Sequence, residues 1–302
     1  MNTPTETTLM RAKALCAAGR FAWFDGDLAT ARAHLEEGLS LYRRVGDGIG
    51  LLNAMSSLIL TLSWQGETGA ASDLAQEGLQ VLQTIENRGQ HLLVLVNFAW
   101  AATFVASAEA LERARPIDEE VARLARSAGD GRSLGVALAC LGQCHYWAKD
   151  YGGARRAYHE CIPILIEVGE NLMTDHAIWG LGKVALREGN AAEARDCAKR
   201  SLEFQKRHQS QLGIPYCIES TAHLAVVEGD FSRAVRLFAA AERIREMQRA
   251  VAQPLVIEEN EEYLAGVRQN LDAAEFNASW KAGRALTLDG AIACALESGA
   301  VP

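Results

Sequence analysis

Cys140 and Cys144 stand four residues apart with His145 beside the second, a spacing at which two thiolates and an imidazole could begin a metal site on one helix face. Such a site needs further ligands, and Cys161 is the one on offer. The same thiols also suit helix packing, since free cysteine behaves as a small hydrophobe. Cys161 occupies a recurring position that elsewhere holds Gly38, Gly78, Ser201 and Ala241, so packing is the reading taken and no metal is expected. A catalytic histidine needs a nucleophile or carboxylate brought into range. None of the seven histidines has one at a telling spacing, and His145, His159, His208 and His223 read as surface or groove residues. The run Glu258-Glu259-Asn260-Glu261-Glu262 could pair carboxylates on a divalent cation. It reads better as the acidic start of a helix after Pro254, where negative charge complements the helix dipole. No Gly-x-x-x-x-Gly-Lys-Ser/Thr phosphate loop occurs, and the nearest approach, Gly180-Leu181-Gly182-Lys183-Val184, lacks the first glycine and the hydroxyl residue. With no acid–base pair, nucleophile or phosphate loop, the sequence reads as non-enzymatic and without a cofactor.

The elements that carry these residues follow a 40-residue period. Gly26-Asp27, Gly66-Glu67, Gly189-Asn190 and Gly229-Asp230 precede Ala31, Ala71, Ala194 and Ala234, and Lys149-Asp150 precedes Ala154 in the same frame. A degenerate copy falls around Glu109-Ala110 and Ala114. Self-similarity at this period predicts stacked helical hairpins rather than one compact core. In one unit Leu138, Leu141, His145 and Ala148 recur at helical spacing, Asp150 stands at an N-cap, and Ala154, Tyr158, Cys161, Ile162 and Leu165 continue a second helix. Gly46, Gly129 and Gly169 suit left-handed helix ends. Gly19, Gly142 and Gly182 share a first-helix position opposite the recurring alanines, so the two helices of a hairpin approach closely there. Positions such as Arg155 are expected to face solvent. The third unit is expected to be the least regular, with its first helix lengthened or its loop altered between His91 and Ser107.

Leu-Gly, an aromatic, Gly-Asp and Ala in this order resemble the tetratricopeptide repeat, whose usual unit is about 34 residues. The stretch Gly26 to Arg43, joined to the tail Ala234 to Glu242, Pro254, Glu261-Glu262-Tyr263, Phe276, Trp280, Gly283, Leu286 and Leu288, is similar to a narrower group. It resembles the C-terminal helical-repeat arm of large bacterial ATP-binding transcriptional regulators of the LuxR type. The resemblance implies an all-α, right-handed superhelical solenoid of antiparallel helix pairs. Residues 1–8 would be a flexible N-terminus, 9–249 six repeats and 250–302 a helical cap. In the cap, Tyr263, Leu264, Val267, Leu271, Phe276, Trp280, Leu286 and Leu288 would cover the last hairpin around Leu237 and Phe238. The resemblance also implies a sensor or interaction arm of a regulator. A free-standing scaffold without a role in transcription is the alternative.

Composition bounds the rest. The 302 residues are 49% hydrophobic and 23% charged, ordinary for a globular chain. A net charge of −8 without a basic stripe argues against direct nucleic-acid binding by this segment. Six prolines suit long helices. No secretory pattern or membrane-spanning run is read, and seven scattered cysteines suit a reducing compartment, so the cytoplasm is expected and a membrane partner is not.

Function is then expected on the first-helix face, which lines the concave side of such arrays. Trp64, Trp147 and Phe24 share one late first-helix position, either for packing or for lining the groove. Asn53, Ser56 and Thr103 are expected on this face. The stronger candidates are Gln143, Tyr146, His176, Trp179, Lys183, Tyr216, Glu219 and His223. Their mix of amide, aromatic and charge suits a protein or peptide partner, or a small effector.

Overall fold

The computed structural model describes residues 4–105, 107–208 and 213–297. These residues form fifteen α-helices and no strand, an all-helical repeat solenoid. They divide into two compact units, Met1–Cys144 and His145–Pro302. The first unit holds α1 (Pro4–Phe24), α2 (Leu28–Val45), α3 (Gly48–Trp64), α4 (Thr68–Thr84), α5 (Leu92–Phe104), α6 (Ala108–Ala128) and most of α7 (Gly131–Trp147). The second holds the end of α7, α8 (Tyr151–Glu167), α9 (Asn171–Arg187), α10 (Ala191–His208), α11 (Ile214–Val227) and α12 (Phe231–Gln248). Three further helices follow in that unit: α13 (Pro254–Arg268), α14 (Ala273–Arg284) and α15 (Leu288–Leu296).

The repeat register appears in the turns. Gly26, Gly66, Gly189 and Gly229 all take positive φ between the two helices of a hairpin, and Lys149 takes the same slot at φ 61°. A side chain in that region is strained by roughly 1 kcal/mol, which is why the other copies carry glycine. Asp27, Asp150 and Asp230 then cap the second helix, each carboxylate accepting from a backbone N–H three residues on. Ala31, Ala71, Ala114, Ala154, Ala194 and Ala234 are all at most 2% exposed. A Cβ on Gly182 would come within 2.8 Å of the Cys197 Cβ, the close helix approach that the small residues permit.

Several expectations need correction. The stretch expected to be flexible is helical from Pro4, with Glu6 in its first turn favouring the helix dipole; residues 1–3 lie outside the described residues. The third repeat is irregular, but its first helix is not lengthened. α5 has 13 residues, the extra chain forms a 3-10 turn at Arg88–His91, and α6 runs to 21 residues. Pro116 and Pro163 lie inside α6 and α8. Arg155 does not face solvent freely. It bonds Glu193 through both terminal nitrogens (2.9 and 3.0 Å) and also pairs with Glu188, tying one repeat to the next. Arg32 with Glu67 and Arg195 with Glu228 repeat the device.

The C-terminal helices cover the last hairpin. Leu237 and Phe238 are buried in a cluster with Leu264, Val267, Ala291 and Ile292, flanked by Tyr263, Leu271, Phe276, Trp280, Leu286 and Leu288. Among the described residues no helix is long and apolar enough to cross a membrane.

Candidate functional site

Helical period places the candidates on one face of the second unit. His176, Trp179, Lys183 and Arg187 follow one another along α9, and Tyr216, Glu219 and His223 do so along α11. Tyr146 and Trp147 close α7. The expected open groove is not open. The N-terminal half of α13 lies on this face, so Tyr146, Lys183, Glu219 and His223 are buried, while His176, Trp179 and Tyr216 are half-buried.

Lys183 is the centre of the arrangement. Its Nζ lies 4.4 Å from the centroid of the Tyr146 ring, 4.1 Å from that of Trp147 and 4.7 Å from that of Trp179. Three ring faces around an ammonium supply the quadrupole attraction that replaces part of its lost hydration. The counterion is Glu259 of α13, whose Oε2 stands 2.6 Å away. Tyr146 donates its hydroxyl to Glu259 Oε1, and Arg187 approaches the same oxygen at 3.2 Å. Arg187 also grips Glu262 at 2.7 and 2.9 Å.

A second network adjoins it. The buried Arg245 guanidinium clasps both oxygens of Glu219, with Nη2 to Oε2 at 2.6 Å, and lies 4.6 Å over the Tyr216 ring. Asn260 donates its amide to Glu219 at 2.7 Å, which turns its carbonyl toward His223 Nε2 at 2.8 Å and assigns the ring proton to that nitrogen. His223 stacks on Tyr263 at 4.0 Å and 13°. The Tyr216 hydroxyl donates to Gln253, and Trp179 Nε1 donates to Ser220 at 2.8 Å.

Burial sets the charge states. It alone would raise the Glu259 carboxyl, but Lys183 and then His223 hold it at about 2. Burial pushes the Lys183 ammonium down against the pull of Glu259. It also holds His176 at about 4, with Lys183 adding to the effect, and lowers His223. Tyr146 is pushed up by burial and by the Glu259 carboxylate. The face therefore holds two imidazoles with depressed pKa values, His176 and His223, beside buried ion pairs.

Gln143 lies in the first unit, buried, with its Oε1 making no hydrogen bond among the described residues. The thiols pack in the helical core. All seven are free and buried, and burial raises Cys16, Cys161 and Cys197 to about 11, 12 and 11, which disfavours their thiolates. Among the described residues no group of three metal-ligating side chains occurs. Ser56 bonds back to its own helix at the Leu52 carbonyl, 2.6 Å away, and Phe24 is 64% exposed.

The sequence reading missed Arg187, Arg245, Glu259, Asn260, Glu262 and Tyr263. The run at 258–262 does follow Pro254 onto a helix, yet Glu259 serves the ion pair inside rather than a solvated first turn. One signal was present: Lys183 and Arg187 one helical turn apart, and Glu259 and Glu262 likewise. Nothing local says that the two pairs meet across more than 70 positions.

A cavity of about 510 Å³ remains between α11, α12, α13 and α14. Arg245, Glu219, Phe238, Trp280 and Leu264 line it, and the exposed apolar Val251 and Ile257 stand on its wall.

Comparison with known proteins agrees with the architecture. Residues 133–207 match the tetratricopeptide repeat family. Comparison with curated proteins gives no significant match. Among solved structures, the chain is similar to a Rap protein complexed with Competence and Sporulation Factor, at 15% identity and a TM-score of 0.64, over 94% of this chain and 76% of that one. A likeness to BtubC (BKLC) from P. vanneervenii, at 13% identity over 82% of this chain and 92% of that one, has a TM-score of 0.46, too distant to bear on the fold. Residues 133–207 thus resemble the tetratricopeptide repeat, within a helical solenoid whose fold is similar to that of the Rap structure.

Proposed function

We propose that this chain is a non-enzymatic binding module that works as the sensor or interaction arm of a bacterial transcriptional regulator, with a protein or peptide partner or a small effector. The observation that carries the reading is the contrast between frame and lining. The alanines of the second helices are uniform and buried, while the first-helix face of the second unit carries aromatic, cationic and amide side chains that differ from repeat to repeat. Such a frame offers one geometry and many contact types. The repeat match, and the likeness to a Rap protein solved with a bound factor, support binding as the function. The candidate contacts are Gln143, Tyr146, His176, Trp179, Lys183, Tyr216, Glu219 and His223, and the expected compartment is the cytoplasm.

The test is affinity capture on the tagged full chain, followed by calorimetry of the captured partner. His176→Ala with Trp179→Ala removes two half-buried rings of α9. It should weaken binding more than tenfold, over about 1.4 kcal/mol, with the helical signal retained. A partner that binds this variant as it binds wild type, or that maps to the second-helix face, overturns the site. Partners unconnected with an ATPase or a promoter-binding protein overturn the regulator role.

A further inference from the structure

The N-terminal half of α13 sits on the first-helix face as a ligand sits in a receptor. Beside the buried Val256, its contacts are carboxylates to Lys183 and Arg187, an amide bridging His223 and Glu219, and a ring stacked on His223. The rest of the tail is seated differently. Gly283 of α14 lies against the Arg236 carbonyl so closely that a Cβ would come within 2.2 Å, Phe276, Trp280, Leu286 and Leu288 pack on the apolar cluster, and the ion pair of α14, Arg284 with Glu246, stays at the surface. Buried ion pairs are seldom the most stabilising way to fill such a space, because desolvation offsets their attraction. A purely structural cap has no need of them.

Three further observations point the same way. The cavity of about 510 Å³ runs along α13, from Ile257, Asn260 and Glu261 to Leu264 and Arg268, so the helix is not close-packed on that side. Arg245 Nε and Gln253 Nε2 are buried without a hydrogen bond among the described residues, where a well-fitted seam would satisfy both. The link into α13 leaves α12 through Arg249 at φ 53°, and α13 is anchored at its far end by Leu264 and Val267. Lys183 also has a second set of partners that does not come from α13, the rings of Tyr146, Trp147 and Trp179. Without α13 the face would present Lys183 and Arg187 uncompensated.

We infer that this face is a receptor for an acidic helical segment, and that α13 is its intramolecular occupant, displaced when a partner brings a helix with two carboxylates one turn apart and an aromatic ring beside the second. The pattern is the Glu259-Asn260-x-Glu262-Tyr263 of α13 itself. This inference rests on the binding reading above and names its partner chemistry and its regulation.

The probe is a fluorescein-labelled synthetic peptide of residues 254–268, read by anisotropy against the full chain. In the full-length Glu259→Gln/Glu262→Gln variant the internal occupant is weakened. The peptide should bind that variant at least tenfold more tightly than wild type, and a peptide carrying the same two changes should lose at least tenfold. Hydrogen exchange should show faster exchange of the amides of 254–262 in the variant. Equal peptide binding by variant and wild type, or an α13 that stays protected in the variant, overturns the inference. If the double variant loses its helical melt, Glu262→Gln alone serves, since that side chain is largely exposed. A gain of about threefold is then expected, and no gain overturns the inference. Competition separates the two readings. A captured partner that binds while the peptide never does sinks the inference alone. A bound peptide that the partner does not displace leaves the receptor standing and sinks the partner's assignment to this face.

Discussion

α13 and α14 both fold back on the last repeat, yet different forces hold them. The middle of α13 is held by Glu259, Asn260, Glu262 and Tyr263 against charged and aromatic partners, between the buried apolar Val256 and Leu264. α14 is held by a glycine pressed on a backbone carbonyl, by apolar side chains and by a surface ion pair from Arg284 to Glu246 at 3.0 and 2.7 Å, and α15 beyond it by the Arg233 guanidinium on its final carbonyls at 3.1 Å. Close packing has one good geometry and is lost all at once. A polar docking can be met by other groups of the same charge. The difference teaches that a segment that reads as one cap makes two kinds of contact, covering an apolar end and pairing with a charged face.

The largest expected effect tests the polar half. Lys183→Met leaves Glu259 buried without its ammonium, a loss of about 3–5 kcal/mol. It should appear as loss of hydrogen-exchange protection across 254–262 while α14 and α15 keep theirs. Lys183→Met with Glu259→Leu should recover most of the loss, since an apolar pair fills the same space. If α14 opens together with α13 in the single variant, the two halves are one cooperative unit and the comparison fails.

Acid should give the same result in graded form. The depressed histidines contribute stability that is present above about 6.5 and lost as pH falls, for His176 through about 4. The depressed Glu259 contributes stability present above about 4.5 and lost as pH falls toward about 2. Lowering the pH from 7 to 2 should therefore free α13 before α14. Tryptophan fluorescence with exchange at each pH checks the order, and release of α14 first breaks it.

Gly283→Ala tests the apolar half. The added methyl meets backbone, not a flexible side chain, so the seam must shift, at roughly 1–3 kcal/mol. The melting temperature should fall and α14 should lose protection, with the Lys183 network retained.

The smallest expected effect is a control from neither region. Arg155→Ala removes a partly exposed tie between repeats and should cost about 0.5–1 kcal/mol in denaturant unfolding. The relative protection of α13 and α14 should not change. A larger cost would show that the arginine ladder, not the cap, dominates the second unit.

How much was legible follows from the range of each interaction. The hairpins could be read because their signals are local: Asp150 bonds the backbone three residues ahead, Gly229 answers a left-handed turn, and Ala154 meets its partner helix within one hairpin. The irregular third repeat was locatable from its length, but not the 3-10 turn that absorbed the extra residues. The first-helix face could be read too, because period alone puts Lys183 and His223 on it.

What sequence by itself determined is therefore the repeat, its register, the apolar cap over Leu237 and Phe238, and the side chains that line one face. What only the tertiary structure decided is that the face is occupied. Glu259 meets Lys183 across 76 positions, and Arg155 meets Glu193 across 38, because stacked helices bring distant turns together. A carboxylate in an acidic run looks the same in sequence whether water or an ammonium receives it. Its burial, and with it its role, depends on where the next helices come to rest.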